Sequence, residues 1–380
     1  MKTIFTLVFV IFLSQTIFPQ RVAKVKPNDK FGFINEDGSW FIEPSFEKAG
    51  NFSDGVAAVF NDDKWGFVDS KNQIIIDYQF DKVKAFDSGI AVVSKDKRWF
   101  YIDKSGNEIT TMPASDKPFD FKKGYAFIKR GEKVGVINAK GEVIVEPEYK
   151  KIFPITGGYA KVQKDELYGL IDKTGKIIIE PVYQEIGKYS KGVIKVKKDN
   201  KVGLLINGEF SPVDDAIKIW DFDDNQNLTY AQSTDKKIGF IDRTGQWIIK
   251  PNFKKVRKFN NGLAPAASGK GKLWGYINES GSWVIEEQYK DAEIFSDDGL
   301  APVIVKKAWG FINTKGELVI KDEYGISGAN AFTFWKDEDK GFKKGLVRVK
   351  SKKGWGFLNT KGELFNNQWF KNAEEFVEVN

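Results

Sequence analysis

Residues that could do chemistry are scarce in this chain. Its 380 residues include no histidine and no cysteine, so the commonest general base, the commonest metal ligand and any disulfide are excluded. The nearest approach to a metal site is Asp221, Asp223 and Asn225, whose oxygens at alternate positions resemble the start of a calcium loop. Gln226 stands where such a loop needs glycine. A long polar turn between strands is the alternative interpretation, and the sequence leaves cation binding open.

Carboxylates recur before proline, at Glu43, Glu146 and Glu180. A catalytic acid-base pair needs one unique arrangement around one pocket. These residues instead return in successive copies of one pattern, and Lys250 replaces them in another copy. They are expected to form a row of solvated charges. We predict no catalytic residues, no cofactor and no metal, and we expect that the chain is not an enzyme.

Tryptophan is the third kind of residue to consider, because an exposed indole can stack on a sugar. A Trp-Gly pair recurs along the chain, but Val134, Val202 and Ile238 take the aromatic position in some copies. Valine can replace a buried filler and cannot replace a stacking platform. The pairs are therefore predicted to be structural residues of a repeat. They include Trp65, Gly66, Trp274, Gly275, Trp309, Gly310, Trp355 and Gly356.

Two other recurring features accompany the pair. Trp40, Trp247 and Trp283 each follow a turn glycine by two residues, and other copies carry either a polar residue, Glu108, or an apolar one such as Val143. From this mixed polarity we expect partial exposure. Pro-x-Tyr/Phe elements end the apolar run of several copies. Proline cannot donate to a strand ladder, so these elements are expected to end a strand and to fill the gap between repeats.

The elements that position all these residues form an internal repeat of about 35 residues. Ten copies occur, and in one of them, Trp99-Phe100, the glycine is lost. Segments such as IDKTG and INTKG predict a type I turn followed by a left-handed glycine. Such a turn joins two strands, and a third short strand precedes the hairpin. Each copy is thus predicted to be a three-stranded β-meander.

The stretches KWGFVDSKNQIIIDYQF and WGFINTKGELVIKDEY strongly resemble the WG-repeat family of bacterial proteins, also called KWG repeats. The resemblance covers residues 22–380. It implies an often exported array of short β-hairpins without a common enzymatic activity. Departures from the pattern lie at Trp99-Phe100, in residues 211–232 and in residues 325–345.

The expected fold is all-β. A three-stranded unit cannot bury both faces alone, so neighbouring units must stack. Propeller blades usually have four strands, and propellers about four to eight blades. We therefore favour an open twisted solenoid or superhelix with the first and last units as caps, and a closed propeller-like ring is the alternative.

The first 20 residues contain a short apolar run from about Ile4 to Leu13. This length is typical of a secretory signal peptide and too short for a membrane span; a retained anchor helix is the alternative. Residues 21–380 are then expected to form one continuous exported repeat array, located in the periplasm, on the cell surface or outside the cell. No membrane span is predicted in the mature chain.

The net charge of +7 comes almost entirely from lysine, because only six of the 59 basic residues are arginine. Specific readers of nucleic acid rely on arginine forks, so we predict no nucleic-acid partner. The lysines are expected to form a solvated face and to protect strand edges. A weak affinity for anionic surfaces is the other interpretation.

A specific site is best sought where the repeat is broken. The insertion within residues 325–345 contains Phe332, Phe334 and Trp335, which could form an exposed aromatic contact or fold back as a cap. We expect a non-catalytic exported protein that binds another protein or a cell-envelope glycan through an extended surface, or that acts as a spacer. A carbohydrate-binding or cell-wall-binding module and, less favoured, an enzyme are the alternatives.

Overall fold

The computed structural model describes residues 20–269, 272–326 and 340–379. Within these ranges the regular elements are strands, apart from one short 3-10 helix, Phe365–Asn367. The first strands are β1 (Arg21–Lys26), β2 (Phe31–Asn35), β3 (Trp40–Phe46), β4 (Lys48–Ser53), β5 (Val56–Asn61), β6 (Lys64–Asp69), β7 (Ile74–Phe80), β8 (Lys82–Val83), β9 (Ala91–Lys95), β10 (Arg98–Ile102), β11 (Tyr125–Arg130), β12 (Lys133–Asn138), β13 (Val143–Tyr149), β14 (Lys151–Ile152), β15 (Tyr159–Lys164), β16 (Leu167–Asp172) and β17 (Ile177–Tyr183).

The second half of the chain continues the same alternation. Its strands are β18 (Glu185–Ile186), β19 (Val193–Lys198), β20 (Lys201–Ile206), β21 (Glu209–Pro212), β22 (Ala216–Ile219), β23 (Thr229–Ser233), β24 (Ile238–Ile241), β25 (Trp247–Phe253), β26 (Lys255–Val256), β27 (Leu263–Ala267), β28 (Trp274–Asn278), β29 (Trp283–Tyr289), β30 (Asp291–Ala292), β31 (Ala301–Ile304), β32 (Trp309–Ile312), β33 (Leu318–Ile326), β34 (Leu346–Ser351), β35 (Gly354–Asn359), β36 (Asn372–Ala373) and β37 (Val377–Glu378).

A complete repeat unit is an antiparallel sheet of four strands, which we call a, b, c and d in chain order. In unit 5 they are β14, β15, β16 and β17, and strand c carries the aromatic-Gly pair. Strand a is only two residues long in most units. The prediction of three strands per unit was therefore wrong, because strand a is formed by residues that the sequence pattern presents as a linker.

The turns between strands c and d have the predicted conformation. Gly175 has φ of 86° and Asn72, which replaces the glycine in unit 2, has φ of 60°. The carboxylate of Asp172 accepts hydrogen bonds from the backbone N–H and the hydroxyl of Thr174. The hydroxyl bond, together with the backbone bonds, lowers the pKa of Asp172. These contacts explain why Asp or Asn opens the turn.

Each strand d crosses closely over the glycine of strand c. A Cβ atom placed on Gly66 would lie 2.6 Å from the carbonyl oxygen of Ile76, and one on Gly169 would lie 2.5 Å from that of Ile179. No side chain fits at such distances. In unit 3 Phe100 replaces the glycine, and only one isolated bridge, Ile102 to Glu108, stands where strand d would run.

Successive units are joined by the chain and by packing. Strand d of one unit leads after one residue into strand a of the next, as from β13 to β14, and β33 runs through both without a break. In several units an aromatic residue after strand a packs on an aromatic of the preceding strand c, for example Phe86 on Phe67 with ring centroids 4.8 Å apart. Burial of such pairs is the main source of stability in a chain without disulfides.

The core consists of ten apolar clusters in the described part of the chain. Nine of the clusters each lie between two successive units. The remaining one joins the ends, since Ala23 and Ile34 of unit 1 pack with Phe357 and Phe370 of unit 10. β36 and β37 also pair antiparallel with β1, so the last residues of the chain complete the first sheet.

The molecule is therefore a closed propeller ring, and the open solenoid that we favoured is wrong. The described residues form nine sheets that carry ten repeat units, because units 9 and 10 share one six-stranded sheet through β33. The end units are not caps, since each covers the exposed face of the other. Closure is possible because strand b begins the first unit and strand a of that unit comes from the C-terminal segment.

Among the described residues, no helix has the length and apolar character needed to cross a membrane.

Candidate functional site

One position in strand b faces strand a of the next unit, and we call it the interface position. It is the residue that pairs with the residue after the glycine of strand c, for example Lys161 with Leu170 and Lys195 with Leu204. Its backbone carbonyl accepts a hydrogen bond from a residue after strand a of the same unit, which is Phe153 beside Lys161 and Gly187 beside Lys195. These two positions determine what fills the space between units.

Between units 8 and 9 this space is filled by charges, and we call the group Arg257, Asp291, Glu293 and Lys340 the charge-filled interface. The guanidinium of Arg257 lies 2.8 Å from an oxygen of Asp291 and 2.8 Å from one of Glu293. The ammonium of Lys340, from unit 10, lies 2.8 Å from the other oxygen of Glu293. The group thus ties three units together.

The Glu293 side chain is only 6% exposed. Burial raises its pKa, although Arg257 and Lys340 act in the opposite direction. Arg257 also lies over the indole of Trp274, 5.0 Å from the ring centroid. These residues are held by each other, so the interface offers a ligand no unsatisfied carboxylate.

The ring closure has a similar character. Lys24 occupies the interface position of unit 1 and donates a hydrogen bond to the carbonyl oxygen of Ala49, 2.9 Å away. Arg348 occupies it in unit 10, donates to the carbonyl oxygen of Ala373 at 2.6 Å and lies 3.5 Å from a Glu374 oxygen. Cations in this position are therefore satisfied in both of the units that join at the ring closure.

Units 4 to 7 differ, because the interface is open and lined by lysine. Three hollows follow one another from interface to interface, with volumes of about 560, 450 and 170 Å³. The first and second share Phe153, and the second and third share Lys195. We call this path the lysine groove and define it by Lys129, Phe153, Lys161, Lys195 and Lys197.

Lys161 lies at the centre of the groove. Its ammonium is 4.1 Å from the ring centroid of Phe153 and 5.4 Å from that of Tyr168. Burial lowers the pKa of Lys161, the charge of Lys195 lowers it further, and Asp221 and Glu185 only partly offset these effects. Within the described ranges neither Lys161 nor Lys195 has a carboxylate within ion-pair distance.

The groove is one of the features that sequence reasoning missed, because its lysines were assigned to a solvated face. A detectable signal does exist. When the units are aligned on the turn glycine, the interface position contains Lys161 and Lys195 in successive units. The residue after strand a that donates to this position is Phe153 or Gly187 in these units. In other units it is Glu293 or Glu374.

The repeat tryptophans lie in the core or against it. Trp274 and Trp309 are 7% and 8% exposed. Trp65 packs on Phe60 with ring centroids 5.2 Å apart, and Trp355 lies under Arg348. The glycines of these pairs, Gly66, Gly275, Gly310 and Gly356, all lie where an added Cβ atom would collide with strand d or the segment that replaces it.

The second aromatic set is half-buried. Trp247 donates its indole N–H to the carbonyl oxygen of Asp214, and Trp283 packs edge-on against Phe253 with ring centroids 5.8 Å apart. Trp40 packs against the cluster that closes the ring. These tryptophans lie in different units and do not converge on one pocket.

The Pro-x-Tyr/Phe elements end strand d as predicted. Phe46, Tyr149, Tyr183 and Phe253 are the last residues of their strands and are buried in the clusters between units. The carboxylates before the prolines are exposed and belong to separate units. They are Glu43, Glu146 and Glu180.

The oxygens of the calcium-like segment have other partners. Asp221 accepts a hydrogen bond from the backbone N–H of Lys188, 3.0 Å away. Asp223 pairs with Lys258 at 3.2 Å and accepts from the N–H of Asn225. In the described part of the chain no group of three or more acidic side chains is arranged to hold a metal ion.

The remaining aromatic candidates, Phe332, Phe334 and Trp335, lie outside the described residues. The other irregular segment, 211–232, contains strand a of unit 7, β22, and a long loop before β23. Arg243 holds that loop by donating to the carbonyl oxygens of Asp223 and Gln226, each 2.9 Å away.

Comparison with solved structures finds distant likenesses, including three that are 10% identical to this chain. A eukaryotic initiation factor is 10% identical, with a TM-score of 0.45 over 80% of this chain and 95% of that one. PorZ, a surface component of the type-IX secretion system of Porphyromonas gingivalis, is 10% identical, with a TM-score of 0.24 over 90% of this chain and 58% of that one. The extracellular domain of a putative hybrid two-component system from B. thetaiotaomicron is 10% identical, with a TM-score of 0.29 over the same shares.

A search of curated proteins finds no match. A family model, in contrast, matches eight segments of the chain. They are 31–65, 65–99, 99–133, 135–168, 168–201, 238–269, 274–307 and 309–324. The model is that of the WG-containing repeat, and the unmatched parts include the irregular segments 211–232 and 325–345. The chain belongs to the WG-containing repeat family.

Proposed function

We propose that this protein is an exported, non-catalytic binding ring that recognises a component of the cell envelope. The observation that carries the proposal is the lysine groove, which crosses three successive interfaces between units 4 and 7. A surface that a repeat leaves open over several units suits an extended macromolecule better than a small substrate.

The other charged groups support a non-catalytic role. A catalytic acid or base needs a tuned pKa and access to a substrate. The carboxylate with the clearest upward pKa shift, Glu293, is enclosed by Arg257 and Lys340. Turn carboxylates such as Asp172 are engaged by their own turns.

A sugar-stacking module built on rows of tryptophan is a weaker candidate. Trp274 and Trp309 are buried, and Trp65 and Trp355 have neighbours on their faces. Trp99 is the one exposed tryptophan among the described residues. It is 38% exposed, and no second exposed tryptophan accompanies it there. A glycan could still bind, but through the lysines.

The test is retention of envelope components by the immobilised mature chain, residues 21–380. The groove variant replaces Lys129, Lys161, Lys195 and Lys197 by Gln. A charge-matched control replaces four exposed lysines of other surfaces by Gln, namely Lys71, Lys140, Lys250 and Lys321. We expect the wild type and the control to retain the same component, and the groove variant to retain less of it. If the wild type retains nothing beyond the bare matrix, the binding function is wrong.

A further inference from the structure

We infer that the lysine groove binds an acidic polysaccharide, with Lys161 and Lys195 contacting carboxylates of successive acidic sugars. This inference rests on the proposed binding function and names the chemistry of its ligand. It is argued from the charge, the surroundings and the equivalent positions of the two lysines.

The first step concerns charge. Lys161 and Lys195 face one hollow of about 450 Å³ and have no ion-pair partner among the described residues. The nearby carboxylate of Asp221 accepts the N–H of Lys188. The charge of Asp221, which lines the same hollow, offsets only part of the cost of burying Lys161, and the charge of Lys195 adds to that cost. An anionic ligand would remove that cost.

The second step concerns what holds the ammonium groups in place. The ring of Phe153 lies under the Lys161 ammonium, and the stem of Lys195 packs beside Gly187, where an added Cβ atom would lie 2.4 Å from the lysine Cγ. The aromatic face is thus occupied by a cation and is not free to stack on a sugar. Recognition must come from the charges and from polar groups around them.

The third step separates a polysaccharide from an acidic peptide. Lys161 and Lys195 are equivalent residues of successive units, 34 positions apart. Two positions further along strand b, units 4 and 6 have Lys129 and Lys197, and unit 5 has Gln163. Rotation from unit 5 to unit 6 repeats the position of the lysine, with Phe153 beside Lys161 and Gly187 beside Lys195. A ligand that repeats its own charge at a fixed interval fits such a series, whereas the side chains of a peptide are irregular.

Hydroxyl groups near the two lysines support the same ligand. The hollow is lined by Thr156, Tyr159 and Tyr189, and the two tyrosine rings pack together with centroids 4.6 Å apart. Their phenol hydroxyls can donate to and accept from sugar hydroxyls. Two lysines in equivalent positions of successive units, with hydroxyl groups between them, suit a chain of uronic acid residues.

The experiment titrates a fluorescently labelled oligogalacturonate with the mature chain and follows anisotropy. We expect saturable binding that weakens as salt is added and that is tighter for an oligomer able to cross two interfaces than for a disaccharide. Replacing Lys161 and Lys195 by Gln should weaken binding about tenfold, because two charge-assisted contacts are lost. Replacing Lys250 and Lys321 by Gln removes the same charge and should leave binding unchanged.

Two further probes decide the ligand class. Dextran, a neutral polysaccharide, should not bind, and poly-glutamate of matched charge should bind at least about tenfold more weakly than oligogalacturonate. Equal or tighter binding of poly-glutamate would overturn the polysaccharide in favour of an acidic peptide. No saturable binding of oligogalacturonate, or equal binding by the Lys161 and Lys195 variant, would overturn the site. If the wild type nevertheless retains an envelope component, the proposed function stands and only this inference fails.

Discussion

The charge-filled interface and the lysine groove occupy equivalent places in different parts of the same ring. In the first, Arg257 and Glu293 follow strand a of successive units and neutralise each other. In the second, Phe153 and Gly187 take the corresponding places, and among the described residues no carboxylate lies within ion-pair distance of the lysines that face them. The same backbone therefore supports a closed contact in one sector and an open, positively charged one in another.

The difference teaches how a repeat can acquire a specific surface. The glycine of strand c and the close crossing of strand d over it are the same in both sectors, so they determine the ring. Two positions per unit vary without disturbing it. Their side chains decide whether an interface binds its neighbour or is available to a ligand.

The largest expected effect comes from breaking the closed contact. Arg257→Gln leaves Asp291 without its cation and leaves Glu293 with Lys340 alone. Loss of one partner of a buried ion group typically costs about 3 kcal/mol of unfolding free energy. Urea unfolding at neutral pH, followed by tryptophan fluorescence, measures it.

The matched control is Arg130→Gln, which removes an exposed arginine whose ion-pair partner, Glu146, is 3.7 Å away. That change should stay within about 0.5 kcal/mol of the wild type. Equal losses for the two variants would mean that the charge-filled interface contributes no more than a surface pair.

The next effect should be the same in both sectors. Gly169→Ala, beside the lysine groove, and Gly275→Ala, beside the charge-filled interface, would each bring a methyl group within 2.5 Å of a backbone carbonyl oxygen. Each should cost about 1 to 3 kcal/mol, since the crossing strand must shift. A large difference between the losses of unfolding free energy in the two variants would show that the sectors differ in backbone structure as well as in the side chains between units.

Much of the unit could be predicted from sequence, because its determinants are local. The Asp-x-x-Gly turns, the Asn207-Gly208 turn and the buried aromatic at the end of strand d all follow from short patterns. Ring closure could not be read in the same way. It depends on how far each unit rotates against the next, and this rotation arises from packing between residues that are distant in sequence.

One local clue to closure was present. The first strand, beginning at Arg21, is a strand b without a preceding strand a, and the chain ends with a strand a that has no strand b after it. Two incomplete units at opposite ends can complete one sheet. Treating strand a as a linker hid this clue and favoured the open array.

The site was less predictable than the fold. Lys161 and Lys24 have the same place in the repeat, and both have a pKa lowered chiefly by burial. Only the neighbouring strand shows that Lys24 donates to a carbonyl oxygen while Lys161 faces a hollow. A single sequence specifies which residues are charged, but the partner of a charge is set by the register of the next unit.

A smaller effect concerns pH. The pKa of Glu293 is raised above its ordinary value of 4.5 because the carboxyl is buried. Between 4.5 and the raised value the folded chain binds more protons than the unfolded chain at this site. The stability contributed by this carboxyl is therefore complete below 4.5 and is lost as pH rises through the folded pKa.

Urea unfolding of the wild type and of Glu293→Gln over this pH range isolates the effect. The unfolding free energy of the wild type minus that of the variant should fall as pH rises. A difference that rises instead would mean that Arg257 and Lys340 outweigh burial and hold the carboxyl ionised.

The smallest expected effect is the one that best separates the two sectors. Burial lowers the pKa of Lys161 below 10.5, so its charged form disfavours folding at neutral pH and Lys161→Gln removes that disadvantage. The unfolding midpoint of this variant should match or exceed that of the wild type, in contrast to the loss expected for Arg257→Gln. Lys195→Gln should behave in the same way, because its charge contributes to the low pKa of Lys161. A loss comparable to that of Arg257→Gln would show that these lysines hold the ring together. The fold would then explain why the lysines are present, and no ligand would be needed to explain them.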